Sequence, residues 1–185
     1  MRVATSFLAL VLLAACAAPP KPQQVLGQKF SEIERPPIGK ARLYIFRPGF
    51  NGQLADEAPL ILVNDHQVTR LWRDGFTSVV IAPTTLRVAV RPAAGESDRW
   101  NANAEFVAEA NKTYFAAAWM DEAGSSVEGM AFLPLRGAVL PVLTRRGGTV
   151  LKASATRLEL VTEDQAVPVL KDLQQIPTAE EQSTR

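Results

Sequence analysis

The sequence predicts a mainly β protein: a single antiparallel β-sandwich of about seven to nine strands, with room for a short C-terminal helix. Three observations lead there. From Ala41 onward, short segments alternate apolar and polar residues and are rich in Val, Ile, Leu, Tyr and Phe. Turn signals built on Pro, Gly, Asn and Asp interrupt them about every 8 to 12 residues. No helix-length amphipathic segments alternate with the strands, as a parallel sheet would require.

The first strand is "ARLYIFRP", in which Leu43, Ile45 and Arg47 face one way and Tyr44 and Phe46 the other, with Pro48-Gly49 as its stop. "APLILVNDHQVTRLW" reads as two strands around Asn64-Asp65, residue types that tolerate positive φ. Asp74-Gly75 supplies the next tight turn. "FTSVVIAP" and "LRVAVRP" are expected to pair around Pro83-Thr84, and "NAEFVAEA" with "TYFAAAWM" around Asn111-Lys112. "SVEGMAFLPL", "GAVLPVLTR" and "TRLELVT" follow as later strands or extended segments.

Residues 163–176 fit either a short helix or an edge strand. In the helical reading Pro168 is the first residue, because a proline there gives up only a donor that has no partner anyway. Val169, Leu170, Leu173 and Ile176 then share one side. The polar end 177–185 is expected to be disordered.

The N-terminal end addresses the chain. Arg2 is followed by thirteen uncharged residues, Val3 to Ala15, and small residues come next. A membrane-spanning helix needs roughly 20 apolar residues, so this is the build of an export signal, residues 1–15. Leu13-Ala14-Ala15-Cys16 resembles the lipobox of bacterial lipoproteins and holds the only cysteine in the chain. That resemblance implies cleavage between Ala15 and Cys16 and acylation of Cys16, including palmitate-like chains. Each buried methylene brings about 0.8 kcal/mol, and stable anchoring needs more than one chain. The competing reading cuts after Ala17 and releases a soluble periplasmic protein. In the lipoprotein sorting pattern an aspartate after the cysteine retains the protein at the inner membrane, so Ala17 implies the outer membrane, facing the periplasm. Residues 16–40, with "AAPPKPQQ" and "ERPPIGK", read as a proline-rich tether; "VLGQKFSEI" between them either packs on the domain or does not. The sandwich is then 41–176.

Composition narrows the partners. Without the leader and its Arg2 the chain holds 19 basic and 19 acidic side chains. No basic excess argues for nucleic acid. With one cysteine, no disulfide forms within the chain and the core must supply the stability.

Four pieces in order resemble a family of bacterial lipoproteins, those of the domain of unknown function 2846 type. They are Tyr44-Ile45-Phe46-Arg47-Pro48, the hairpin Val63-Asn64-Asp65-His66, Gly75-Phe76, and Lys112-Thr113-Tyr114-Phe115. The likeness spans about residues 40 to 175. It departs at two turn glycines, where this chain has Pro83-Thr84 and Asp65-His66. It implies an envelope lipoprotein with a β-rich domain and carries no established activity.

No catalytic, metal or cofactor constellation is legible. His66 is the only histidine and sits in a hairpin turn, which makes a poor metal site. Glu105 with Glu109, and Asp121 with Glu122, are carboxylate pairs at strand spacing, which usually means a solvated face. No nucleophile elbow, phosphate loop or dinucleotide fingerprint is present. The aromatics are the remaining ligand candidates. Trp100, in the polar loop "GESDRWNAN", is expected either to stack on a sugar or partner or to fold over the end of the sandwich. Trp72 lies between Arg70 and Arg73. Trp119 is expected in the core, and Arg47 to be buried and paired. These readings give a non-enzymatic envelope lipoprotein that binds another envelope protein or supports an assembly. A peptidoglycan-binding module using Trp100 or Trp72 is the alternative, and an enzyme on wall or lipid is a third.

Overall fold

The computed structural model of the protein describes residues 27–49, 54–120, 134–135, 138–139 and 156–183. The lipobox with Ala15 and Cys16, and the pair Asp121 and Glu122, lie outside the described residues. The chain runs β1 (Ala41–Arg47), β2 (Leu60–Val63), β3 (His66–Arg70), β4 (Gly75–Ile81), β5 (Thr85–Arg91), β6 (Ala102–Val107) and β7 (Thr113–Met120). It continues with the two-residue strands β8 (Pro134–Leu135) and β9 (Ala138–Val139), β10 (Thr156–Val161), helix α1 (Glu163–Leu170), β11 (Gln174–Gln175) and helix α2 (Ala179–Ser183).

Two sheets form the expected sandwich. The larger has the order β10-β7-β1-β4-β11, the smaller β3-β2-β5-β6, and β8-β9 is a separate pair. The smaller sheet is antiparallel throughout. In the larger one β1 runs parallel to β7, and β11 parallel to β4.

The strand β1 is central because its two faces are both apolar. Leu43 and Ile45 enter the core between the sheets with Ile61, Val88, Val90 and Ala116. Tyr44 and Phe46 enter a second core on the outer face, with Phe76, Phe115, Ala117 and the α1 residues Ala166, Val169 and Leu170. The strand β7 serves both cores in the same way, and its alanines let the layers approach closely. The domain therefore has three layers, with α1 and the N-terminal segment forming the third.

The turns hold their expected residues but not all their expected partners. Asn64 and Asp65 take φ of 50° and 65° and close the β2–β3 hairpin. The turns at Pro83-Thr84 and Asn111-Lys112, expected to close two more hairpins, instead carry the chain from one sheet to the other. The strand β4 pairs with β1 and β5 with β2; β6 pairs with β5 and β7 with β1. The apolar faces of β1 claim β4 and β7 for the larger sheet.

Both ends of the domain extend past their expected boundaries. The segment from Gly27 belongs to the fold rather than to a tether: Gly27 N–H donates to Gln175 O at 2.7 Å, Gln175 N–H to Gln28 O at 2.8 Å, and Phe30 is buried. The helix begins at Glu163, not at Pro168, because Thr162 caps it, with the Gln165 side chain accepting from the Thr162 N–H at 3.0 Å. Pro168 lies inside the helix, which ends two residues later. Leu173 and Ile176 are buried as expected but past the helix, and in different cores. Residues 177–183 are ordered: Thr69 Oγ1 donates to Pro177 O at 3.0 Å, and α2 packs against β3.

Candidate binding cleft and the buried polar network

Trp100 is fully buried. Its Nε1 donates to Glu57 Oε2 at 2.6 Å, and the Arg47 guanidinium carbon lies 4.4 Å from its ring centroid. Of the two expectations for this residue, the structure gives the fold-over at the sandwich end and removes the sugar platform. Trp72 is half-buried against the inter-sheet core, with the Arg70 guanidinium carbon 5.9 Å from its ring. The two tryptophans therefore do not form a ligand surface. Trp119 packs against the outer core, as expected.

Arg47 is buried at the end of β1. It donates to the carbonyls of Leu54, Ala55, Glu57 and Leu71. Desolvation pushes its pKa down to about 10, and the charges of Glu96, Asp74 and Glu57 oppose that shift while Arg73 adds to it. Glu57 Oε2 also accepts from the Ser97 N–H at 3.1 Å. Glu96 accepts from Arg70 at 2.5 Å and from the backbone N–H groups of Ala58 and Ala93. These groups lace residues 54–59 to residues 93–100. Nearly all their capacity goes to closing one end of the sandwich, which makes this a structural network.

The chemistry that faces solvent lies elsewhere. The sandwich is closed along one side, where β10 runs against β6 and Thr156 Oγ1 donates to Arg99 O at 2.6 Å. The opposite side is open. There a cleft of about 510 Å³ separates β4 from β3. One wall holds His66, Gln67 and Val68 and the other Ser78 to Ile81, two runs of consecutive strand residues. Consecutive residues line a cleft only when a strand presents its edge as well as a face. Arg42 sits here, donating to Ser78 Oγ at 3.2 Å and pairing with Glu34 at 2.8 Å. Thr178, Glu180 and Glu181 close the third side, where the C-terminal segment crosses from β4 to β3.

The edge of β4 can be read atom by atom. Gln174 N–H donates to Asp74 O at 3.0 Å and Ile176 N–H to Phe76 O at 2.6 Å, so even-numbered positions point away from β1. By strand alternation the N–H and C=O of Ser78 and Val80 point the same way. Among the described residues no strand pairs with β4 on this side beyond Phe76. The edge of β3 is different: Ile61 pairs with Thr69 and Leu62 with Gln67, leaving Val68 as a bulged extra residue.

His66 is exposed and lines the cleft, so the one histidine is at the candidate site, though as a wall residue. Glu105 and Glu109 are exposed on and beside β6, outside it. The cleft residues Arg42, Ser78, Val80 and Glu180 were not legible as a group, because three distant segments bring them together. No family model and no curated protein matches the chain.

Proposed function

We propose that the chain is a membrane-anchored bacterial envelope lipoprotein, held through acylated Cys16, whose sandwich binds another envelope protein and does no chemistry of its own. Its resemblance to lipoproteins of the domain of unknown function 2846 type supports the anchor, through Leu13-Ala14-Ala15-Cys16 and the Tyr44 to Pro48 strand. The single observation behind protein binding is the open side, where two strand edges flank one cleft. Edges bind polypeptide through backbone hydrogen bonds. The alternative wall-glycan reading loses its tryptophan, since Trp100 is enclosed.

Anchoring raises the local concentration of the domain at the membrane, so weak contacts suffice in the cell. The test is crosslinking in intact cells with the full-length protein, followed by mass identification of adducts. A discrete protein adduct that disappears with Cys16→Ser supports the reading. Muropeptide adducts alone, or fractionation unchanged by Cys16→Ser, would overturn the protein partner or the anchor respectively.

A further inference from the structure

We infer that the turn at residues 37–40 is a second membrane contact, in which Ile38 enters the interface of the bilayer that holds the anchor. The inference rests on the anchored reading above and orients the tethered domain. Three observations carry it.

Ile38 is 98 % exposed. A single apolar side chain on a surface is ordinary, but this one is held out on a built turn. The Lys40 N–H donates to Pro37 O at 3.0 Å and Gly39 takes φ of 74°, the pattern of a type II turn with Ile38 at its first corner. Asn111 braces that turn against the start of β7. The Gly39 N–H donates to Asn111 Oδ1 at 3.0 Å, and the Asn111 N–H donates to Lys40 O at 2.6 Å. Backbone groups already paired in this way cost less to take out of water. Among the described residues, nothing beyond its chain neighbours comes within 4 Å of the Cβ position of Gly39, so the turn stands clear of the domain.

Ile38 also has company. Val107, 66 % exposed, ends β6 opposite Thr85, and Ala41 at the start of β1 lies opposite Ile81. These positions and the turn share one end of the sandwich; Arg47 and Trp100 close the other. The charges here are of both signs, Lys40 and Lys112 against Glu109, all exposed. The apolar tips, rather than a field, therefore select the partner. Lysine stems lie along apolar surface and keep their ammonium groups among headgroups.

Finally, the chain enters the fold from this end. Lys29 bridges Gln174 antiparallel, β11 runs parallel to β4, and β4 antiparallel to β1. The segment from Gly27 thus runs in the direction of β1, away from the Ile38 end. Cys16 lies eleven residues before Gly27, a reach of at most roughly 40 Å, whereas β1 spans only about 23 Å. A bilayer holding Cys16 is therefore within reach of Ile38. One isoleucine binds weakly alone, but the anchor supplies the local concentration. Docked so, the Arg47–Trp100 end points away from the membrane.

The test uses the full-length acylated protein in phospholipid vesicles. Acylated Cys16 offers no free thiol, so an introduced cysteine is the one reactive group. Pro37→Cys carries an environment-sensitive dye beside an intact Ile38. Asp56→Cys, exposed at the opposite end, carries the same dye as the control. Some lipids bear an acyl-chain spin label, which quenches a dye at contact range. The expected result is strong quenching at position 37 and none at position 56. Ile38→Asp, in the position-37 protein, should lower the quenching several-fold. That side chain packs against nothing that its loss would unfold.

Quenching at position 37 no greater than at position 56, or undiminished by Ile38→Asp, would overturn the contact. Shielding of the dye that needs added envelope protein and shows no lipid quenching would also overturn it, and would place a protein at this turn. Fractionation reads the anchor separately. A membrane-held protein with an unquenched turn removes the contact and leaves the anchored reading standing. A chain that fractionates as soluble, with Cys16 unacylated, removes the anchored reading and the contact with it.

Discussion

The guanidinium of Arg47 lies over the ring of Trp100, 4.4 Å from its centroid, and Glu57 meets both residues: its side chain accepts from the indole and its carbonyl from the guanidinium. Fifty-three positions apart in sequence, the planar cation and the indole ring close one end of the sandwich together. A desolvated cation over an indole face is a strong form of this contact, worth about 2 kcal/mol. Replacing Trp100 with Ala should cost about 3–5 kcal/mol, the range for emptying a buried aromatic site. Trp100→Phe keeps most of the ring and loses the bond to Glu57, and should cost clearly less. Denaturant midpoints of both variants check this. A Trp100→Ala protein with an unchanged midpoint would mean that the indole is not enclosed.

That burial shows where sequence reading stops. A tryptophan in "GESDRWNAN" has polar neighbours on both sides, and only the meeting of residues 54–59 with residues 93–100 encloses it. The face assignment of β1 was legible because alternation is local. The turn residues at Asn64-Asp65, Asp74 and Asn111 were legible too, and all take positive φ. Whether a turn closes a hairpin or switches sheets was not, since the same residues serve both; the decision lies in the pairing of 41–47 with 75–81. Both helices did carry a readable signal that composition obscured. Thr162 with Gln165, and Thr178 with Glu181, stand at capping-box spacing, and both glutamyl-type side chains reach back to the cap N–H.

Arg47 should resist conservative replacement. Its planar fork reaches four backbone carbonyls, and a lysine at the same place supplies a point charge that cannot span them. Arg47→Lys should cost about 2–3 kcal/mol, the penalty for leaving buried acceptors unmet. Arg47→Met removes the buried charge and every donor as well, and should cost more, because the carbonyls are left without partners. Unfolding curves with unchanged m-values check the order. If Met proved the milder change, the cost of burying the charge would outweigh its hydrogen bonds.

Gly75 is needed for space rather than for φ, since the positive φ of this turn belongs to Asp74. A Cβ on Gly75 would sit 2.2 Å from Ile176 Cδ1 and 2.9 Å from the Trp72 carbonyl oxygen. Gly75→Ala should therefore destabilise by about 1–3 kcal/mol, as overpacked cores do. Shortening Ile176 to Val should recover part of that loss, and the remaining contact with the Trp72 backbone should prevent full recovery. A double-mutant cycle reads the coupling. Additive effects would mean that the Ile176 side chain does not press on β4 at Gly75.

Tyr44 links the N-terminal segment to pH. Burial pushes its phenol above the ordinary 10.0, against the opposing Glu34 N–H bond and Arg42 charge, with the Glu34 carboxylate adding to the rise. A raised value means that the folded state holds the proton longer than the unfolded chain. The stabilisation is complete below pH 10 and is lost as pH climbs from there through the folded value, with a slope of at most about 1.4 kcal/mol per pH unit. Arg47, pushed down to about 10, pulls the other way over the same range, but it is present in both proteins of a comparison and cancels. At pH 7 Tyr44→Phe should be less stable than the parent by about 1 kcal/mol, because the Glu34 N–H loses its acceptor at 2.9 Å. Above pH 10 that gap should narrow, since the phenylalanine protein has no phenol to ionise and loses nothing there. Denaturant unfolding of both proteins at pH 7 and at steps above pH 10 measures it. A gap that stays constant would mean that Tyr44 ionises alike in the folded and unfolded chains, and that its hydroxyl at the Glu34 backbone is open to water.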